Sequence, residues 1–240
     1  MYEERKYREY TLAADLEKFT VVEKETDLLI LAEKDLTDLA RQSILKHRGE
    51  LEKFIEENPE FLTTFRPYRV PLITYPIVRN MAWAARKCYV GPMAAVAGAM
   101  AELVGRDLLK YSKDVIVENG GDNYIKTTVP RKVGIYAGVS PLSEKIALEI
   151  EPKDTPCGVC TSSGTVGHSF SYGKADAICV VSRSAALADA AATAIGNVVT
   201  DIHTIEKGLE IAKRIGGLTG VIIIKADRMG LMGKIKIVPM

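Results

Sequence analysis

The chain has 240 residues, with 32 Lys plus Arg against 31 Asp plus Glu, a net charge of +1 and 47% hydrophobic residues. That is the make-up of an ordinary globular protein, long enough to bury a core without disulfide or metal staples. It excludes much: near-zero charge gives no general reason to bind nucleic acid or an acidic membrane, no apolar run approaches the roughly 20 residues of a spanning helix, and the charged start is no secretory signal.

In chain order, Val21-Val22 and Leu28 to Leu31 flank the polar stretch Glu23 to Asp27. A β-hairpin is the simplest assignment. Asp35 suits the N-cap of a helix reaching about Asn58, because Leu36, Leu39, Ala40, Ile44, Leu51, Phe54 and Ile55 recur at helical spacing. Pro59 lies past its end, and Pro67, Pro71 and Pro76 break the following segment into a loop. Helices are then expected over Ile77 to Cys88 and from Pro92, which suits a first helical position, to about Leu109. The second is rich in small residues (Ala94, Ala95, Ala97, Gly98, Ala99, Ala101), which let a neighbouring helix or a ligand approach closely.

From Asp114 the pattern changes to strands: Val115 to Val117, Tyr124 to Thr128, Val133 to Ala137, Ile146 to Ile150, a short one after Cys157, and Ala175 to Val181. Two helices follow, an alanine-rich one over about Ala185 to Val199 and an amphipathic one over about Thr204 to Ile215. The end reads as a hairpin, Val221 to Ile224 and Ile235 to Val238, with its turn near Asp227 to Gly233. Helices segregated between blocks of strands indicate an α+β fold. No tandem repeat is visible. His47 and His203 read as surface or packing residues, Met81 and Trp83 as core, and the charge run Glu50 to Glu57 as a solvated helix face.

Three stretches have the residue types for chemistry. In Glu118 to Asn123, the pair Gly120-Gly121 after Asn119 permits positive φ and close backbone approach to a phosphate or flat ring; taken alone, a tight hairpin turn is the favoured reading. Cys157 to Ser169 gathers Cys157, Cys160, Thr161, Ser162, Ser163, Gly164 and His168. A Cys-x-x-Cys pair forms a disulfide, ligates metal or carries sulfane sulfur, with the thiolate as the active form. Zinc would need further ligands, and Cys88, Cys179 and His203 are irregularly spaced for that. Buried, chemically silent thiols are the alternative. The chain's few cysteines do not make a disulfide framework, so reduced thiols in the cytoplasm are expected. Finally, Asp189 and Thr193 lie one helical turn apart on one face and offer hard oxygens suited to magnesium. A solvated Asp189 and a Thr193 bonded back to its own helix are the alternative.

The order of these stretches resembles the ApbE-type FAD:protein FMN transferase superfamily. The runs Val90 to Gly98 and Gly158 to Ser169 look like a family of short ApbE-like proteins within it. The resemblance covers most of the chain, from about residue 70 onward, and implies one ApbE-like, T-fold-related domain over residues 1–240, with mainly antiparallel sheets and two related halves. It also implies magnesium at Asp189 and Thr193, and FAD or another nucleotide against Asn119, Gly120, Gly121, Thr161, Ser162, Ser163 and Gly164. Two transferase features are missing: the His-x-x-Asp-Pro-x-Thr-Gly segment, whose place is taken by His168-Ser169-Phe170-Ser171, and a lysine-glycine pair, which here reads Val96-Ala97-Gly98.

The short family is associated with sulfur assimilation toward homocysteine. That association makes a thiol at Cys160, partnered by Cys157 and assisted by His168, the leading expectation: a persulfide carrier with a sulfur-donor or sulfur-acceptor protein. The alternative is a magnesium-dependent flavin-nucleotide enzyme such as a divergent FMN transferase, or a non-catalytic binding module on the same fold. No nucleic-acid or membrane partner is expected, and a homodimer is the default assembly.

Overall fold

The computed structural model describes Arg8, residues 13–164 and residues 173–240. The chain opens with a hairpin, β1 (Glu17–Glu23) and β2 (Thr26–Ala32). Glu23 pairs with Thr26, so the turn is only Lys24-Glu25, tighter than the polar stretch suggests. Every residue of β2 is buried, as its unbroken apolar run requires of a strand covered on both faces.

Helix α1 (Thr37–Glu57) follows. Its N-cap position is Leu36 rather than the expected Asp35, although Asp35 Oδ1 still accepts the Thr37 N–H at 2.8 Å. After the one-turn α2 (Glu60–Thr63), α3 spans Pro76–Cys88. Pro92–Ala95 forms a 3-10 turn, so α4 (Val96–Leu108) starts later than the proline suggests. Met81 is fully buried, but Trp83 is not core: it is 36% exposed, with Lys87 Nζ 4.8 Å from its ring centre. His47 is a packing residue, buried with Nε2 3.0 Å from Asp107 Oδ2.

The strands β3 (Val115–Asn119), β4 (Asp122–Lys126), β5 (Arg131–Gly134), β6 (Ile146–Ile150), β7 (Cys157–Ser162) and β8 (Ala177–Ser182) come next. Then come α5 (Ala185–Gly196), α6 (Ile205–Arg214), β9 (Leu218–Lys225), β10 (Arg228–Gly233) and β11 (Lys236–Pro239). The C-terminal expectation needs correcting. The segment read as a turn is strand β10 paired to β9, and Lys236–Pro239 leaves that sheet to pair with β6. Gly230 and Gly233 and the exposed Met229 and Leu231 hid β10, because its inward face is made of Gly230 and Met232 and leaves almost no apolar alternation to read.

Eight antiparallel strands form one sheet in the order β1-β2-β3-β4-β7-β8-β9-β10, and β11-β6-β5 form a second. The helices cover one face of the large sheet, burying Val117, Val180 and Ile223 with Ala99, Ala186 and Ile195. The small sheet covers the other face, where Leu148 and Ile150 meet Ile125, Val159 and Ile222. The result is a mainly antiparallel α+β architecture in three layers. Its topology repeats: hairpin β1-β2, helices, hairpin β3-β4, then hairpin β7-β8, helices, hairpin β9-β10. The two runs meet where β4 pairs with β7. Among the described residues no single helix is long and apolar enough to cross a membrane.

Candidate functional site

Above the β4–β7 seam, α4 and α5 approach unusually closely because glycine stands on both sides of the start of α5. A Cβ on Gly98 would lie 2.3 Å from the Ala185 carbonyl oxygen and 2.8 Å from Asp189 Cβ, and one on Gly158 would lie 2.3 Å from Ala185 Cα. Of the two readings of the small-residue helix, close packing therefore holds at Gly98.

Each of these helices caps the other. Asp189 Oδ2 on α5 accepts the Gly98 N–H at 2.9 Å in the first turn of α4. Glu102 on α4 is buried, and its Oε2 accepts from Ser184 Oγ at 2.9 Å and from the Ala185 N–H at 2.8 Å, where α5 begins. The free N–H groups at a helix start favour a carboxylate, which explains both placements. Burial nevertheless pushes the Asp189 carboxyl upward, and the Gly98 and Ala97 amides only partly oppose that. Asp189 and Thr193 both keep some accessible surface.

The glycine pair beside this junction is the two-residue loop of the β3–β4 hairpin. Asn119 pairs with Asp122, and Gly120 and Gly121 take φ of 67° and 101°, values that two-residue loops of this hand require and glycine supplies without strain. Glu118 Oε1 accepts the Gly121 N–H at 2.7 Å, Asn119 Nδ2 donates to the Ala97 carbonyl at 3.2 Å, and the Gly121 carbonyl accepts the Thr161 N–H at 3.2 Å. The structure thus brings Asn119, Gly120, Gly121, Thr161, Asp189 and the start of α4 to one junction. Thr161, Ser162 and Ser163 are partly accessible, Gly164 is exposed, and the Gly164 N–H donates to the Ala175 carbonyl.

The cysteines do not share that arrangement. Three-residue spacing on a strand points two side chains to opposite faces. Cys160 lies in the core under the helices, and Cys157 lies in the core under the small sheet. They cannot act as a pair, and Cys160 Sγ is taken up by the Ala185 carbonyl at 3.4 Å. Burial pushes the Cys157 thiol up to about 12. Burial, with the nearby Asp122 and Asp189 charges, pushes Cys160 well above the ordinary thiol range. A nucleophilic thiol needs the opposite environment, so this arrangement gives the persulfide expectation no support. His168 lies outside the described residues. Alkylating reagent applied to the native protein is expected to leave Cys88, Cys157, Cys160 and Cys179 unmodified, whereas denatured protein labels at all of them, as peptide mass mapping reads directly. Rapid native labelling at Cys160 would restore the sulfur reading.

No cluster of three or more His, Cys, Asp or Glu able to hold a metal occurs among the described residues. Magnesium asks for less: one or two carboxylates, with waters and substrate phosphates completing the shell. Asp189 and the Thr193 hydroxyl fit that demand. So does Asp122, a residue the sequence reading passed over, whose Oδ1 is buried without a hydrogen-bond partner among the described residues. Sequence reading also missed a groove of about 680 Å³ between α1, the β1–β2 turn and the start of α4. Leu51, Ile55, Met93 and Val96 make its apolar wall, and Ala97 and Asn119 join it to the glycine turn. No sequence motif marks the groove, because its wall comes from elements far apart in the chain.

A family model described as AbpE bacteria matches residues 10–212. A UPF0280 protein of Methanococcus aeolicus is 42% identical over 223 residues, covering 91% of this chain and 90% of that one. Another, from Methanocaldococcus jannaschii, is 41% identical over 224 residues, with 91% of each chain covered. Among solved structures, the apo flavinyl transferase ApbE of Pseudomonas stutzeri superposes with a TM-score of 0.58 at 13% identity, over 90% of this chain and 93% of that one. The flavin transferase ApbE of Vibrio cholerae gives 0.57 at 13% identity, over 93% and 97%. Identities that low establish the shared fold alone. The family model and the relatives establish more: the chain belongs to the AbpE bacteria family, together with the UPF0280 proteins.

Proposed function

We propose that this protein binds a flavin dinucleotide through magnesium, in the manner of a divergent flavin transferase. The observation that carries the reading is the junction of a partly accessible carboxylate and hydroxyl, Asp189 and Thr193, with a glycine turn and an apolar groove that share Asn119 and Ala97. The oxygens of Asp189 and Thr193 would hold the cation. The bare backbone of Gly120 and Gly121 leaves room for phosphates, and Leu51, Ile55, Met93 and Val96 offer an apolar wall to a flat ring. Bound magnesium would neutralise the pyrophosphate charge. The resemblance in fold to two flavin transferases supports the same reading, whereas neither the comparisons nor the buried thiols support sulfur carriage.

The test is calorimetric titration of FAD with Mg²⁺ and with EDTA, on the full chain and on Asp189→Asn, which keeps an acceptor for the Gly98 N–H. FAD is expected to bind at least about tenfold more tightly with Mg²⁺, a difference of roughly 1.4 kcal/mol, and Asp189→Asn is expected to erase that difference. Equal FAD affinity with and without Mg²⁺ in the parent protein sinks the proposal.

A further inference from the structure

Asp122 stands out as a buried carboxyl with one oxygen unsatisfied. It is 8% exposed, and its Oδ1 has no hydrogen-bond partner among the described residues. Such groups are few in folded proteins, and each calls for a reason. The hairpin does not supply one. The turn's own polar needs are met by Glu118, which accepts the Gly121 N–H, and by Asn123, whose Nδ2 donates to the Gly121 carbonyl at 3.3 Å. Across the strand pair Asp122 faces Cys160, a weak donor already directed at the Ala185 carbonyl.

Asp122 also has a like-charged neighbour. Asp122 pairs with Asn119 across the glycine turn, Asn119 Nδ2 donates to the Ala97 carbonyl, and Asp189 accepts the N–H of the next residue, Gly98, so both acidic residues belong to the junction at the start of α4. A divalent cation shared by two buried carboxylates would offset the cost of placing both in a low-dielectric region. Stability alone would have selected an apolar or amide side chain at this position.

The geometry points to Asp122 as the second carboxylate of the cation site, so that Asp122 from β4 and Asp189 from α5 together take one hard divalent cation, with the Thr193 hydroxyl one helical turn on. The inference rests on the magnesium reading above and deepens it. It places the cation at the β4–β7 seam, held by both topological runs of the chain. Thr193 and substrate phosphates would occupy the outer positions of the shell.

The test uses Mn²⁺ as the probe, read by the electron paramagnetic resonance signal of unbound Mn²⁺, with and without FAD. Parent protein, Asp122→Asn and Asp189→Asn are compared, and thermal unfolding is recorded in EDTA. The parent is expected to retain Mn²⁺ and to release it to excess Mg²⁺. Asp122→Asn is expected to bind at least about tenfold more weakly, as loss of an anionic ligand implies, while unfolding in EDTA at the same temperature or higher, because a buried repulsion has been removed. Unchanged Mn²⁺ binding in Asp122→Asn, with binding lost in Asp189→Asn, overturns this inference alone. A fall in the EDTA unfolding temperature of Asp122→Asn also overturns it, since the carboxylate would then be structural. Unchanged binding in both variants, or no Mn²⁺ retained by the parent with or without FAD, overturns the magnesium reading itself.

Discussion

Gly158→Val is expected to cost the protein about 3 kcal/mol or more, at the upper end of what overpacking does. The added Cβ would sit 2.3 Å from Ala185 Cα and 2.8 Å from the Ala185 nitrogen. These are backbone atoms at the start of a helix, with no flexible end to swing aside. Relief requires α5 to move off β7, which also breaks the contact of Gly98 with Ala185 and the bond from the Gly98 N–H to Asp189. For a chain of this size the loss corresponds to roughly 6–12 °C in Tm, measurable by circular dichroism. A variant melting within about 2 °C of the parent, less than 1 kcal/mol on the same scale, would show that the α5–β7 contact is looser than described.

Glu102→Ala is expected to destabilise by a similar amount, about 3 kcal/mol. The alanine leaves the Ala185 N–H buried without its acceptor, removes the acceptor of the part-buried Ser184 hydroxyl, and leaves Arg106, whose Nη2 is 2.6 Å from Glu102 Oε1, without its carboxylate. Arg106 is itself half exposed and recovers solvation, and Ser184 Oγ still accepts the Leu187 N–H, so the dominant cost is the lost acceptor of the buried Ala185 N–H. Glu102→Gln keeps an acceptor for that helix and is expected to recover about half of the loss, since neutral acceptors are roughly half as strong as charged ones. Because α5 carries Asp189 and Thr193, Glu102→Ala is also expected to weaken Mg²⁺-dependent FAD binding, although it touches neither residue. Denaturant melts of the three proteins decide the matter: if alanine and glutamine variants are equally stable, Glu102 does not act as a cap.

Much of the fold was legible because its signals are local. Apolar spacing marks α1, α3 and α6. The unbroken apolar runs of β2 and β9 mark central strands, and Asn119-Gly120-Gly121 marks a hairpin. The junction was only partly legible. Asp189, Thr193 and the glycine turn carry motif spacing, whereas Asp122 and Glu102 acquire their roles from partners far off in sequence: Glu102 meets the Ala185 N–H across 83 positions. The thiols show the reverse problem. Cys-x-x-Cys suggests a pair wherever the chain turns, but on a strand the same spacing separates the two sulfurs by the thickness of the sheet. Strand β10 escaped because its glycines and exposed side chains mimic a loop, and pairing to β9 through backbone groups needs no apolar pattern.

The reciprocal caps at the α4–α5 junction carry a consequence for how such a sequence can drift over generations. Gly98, Glu102, Ser184 and Asp189 satisfy one another across two helices, so a lineage that exchanges one inherits a defect in the opposite helix rather than at the altered position. Tolerated changes there should arrive as compensated sets, and a chimera that takes α4 from one relative and α5 from another would inherit two helix starts whose partners had diverged apart.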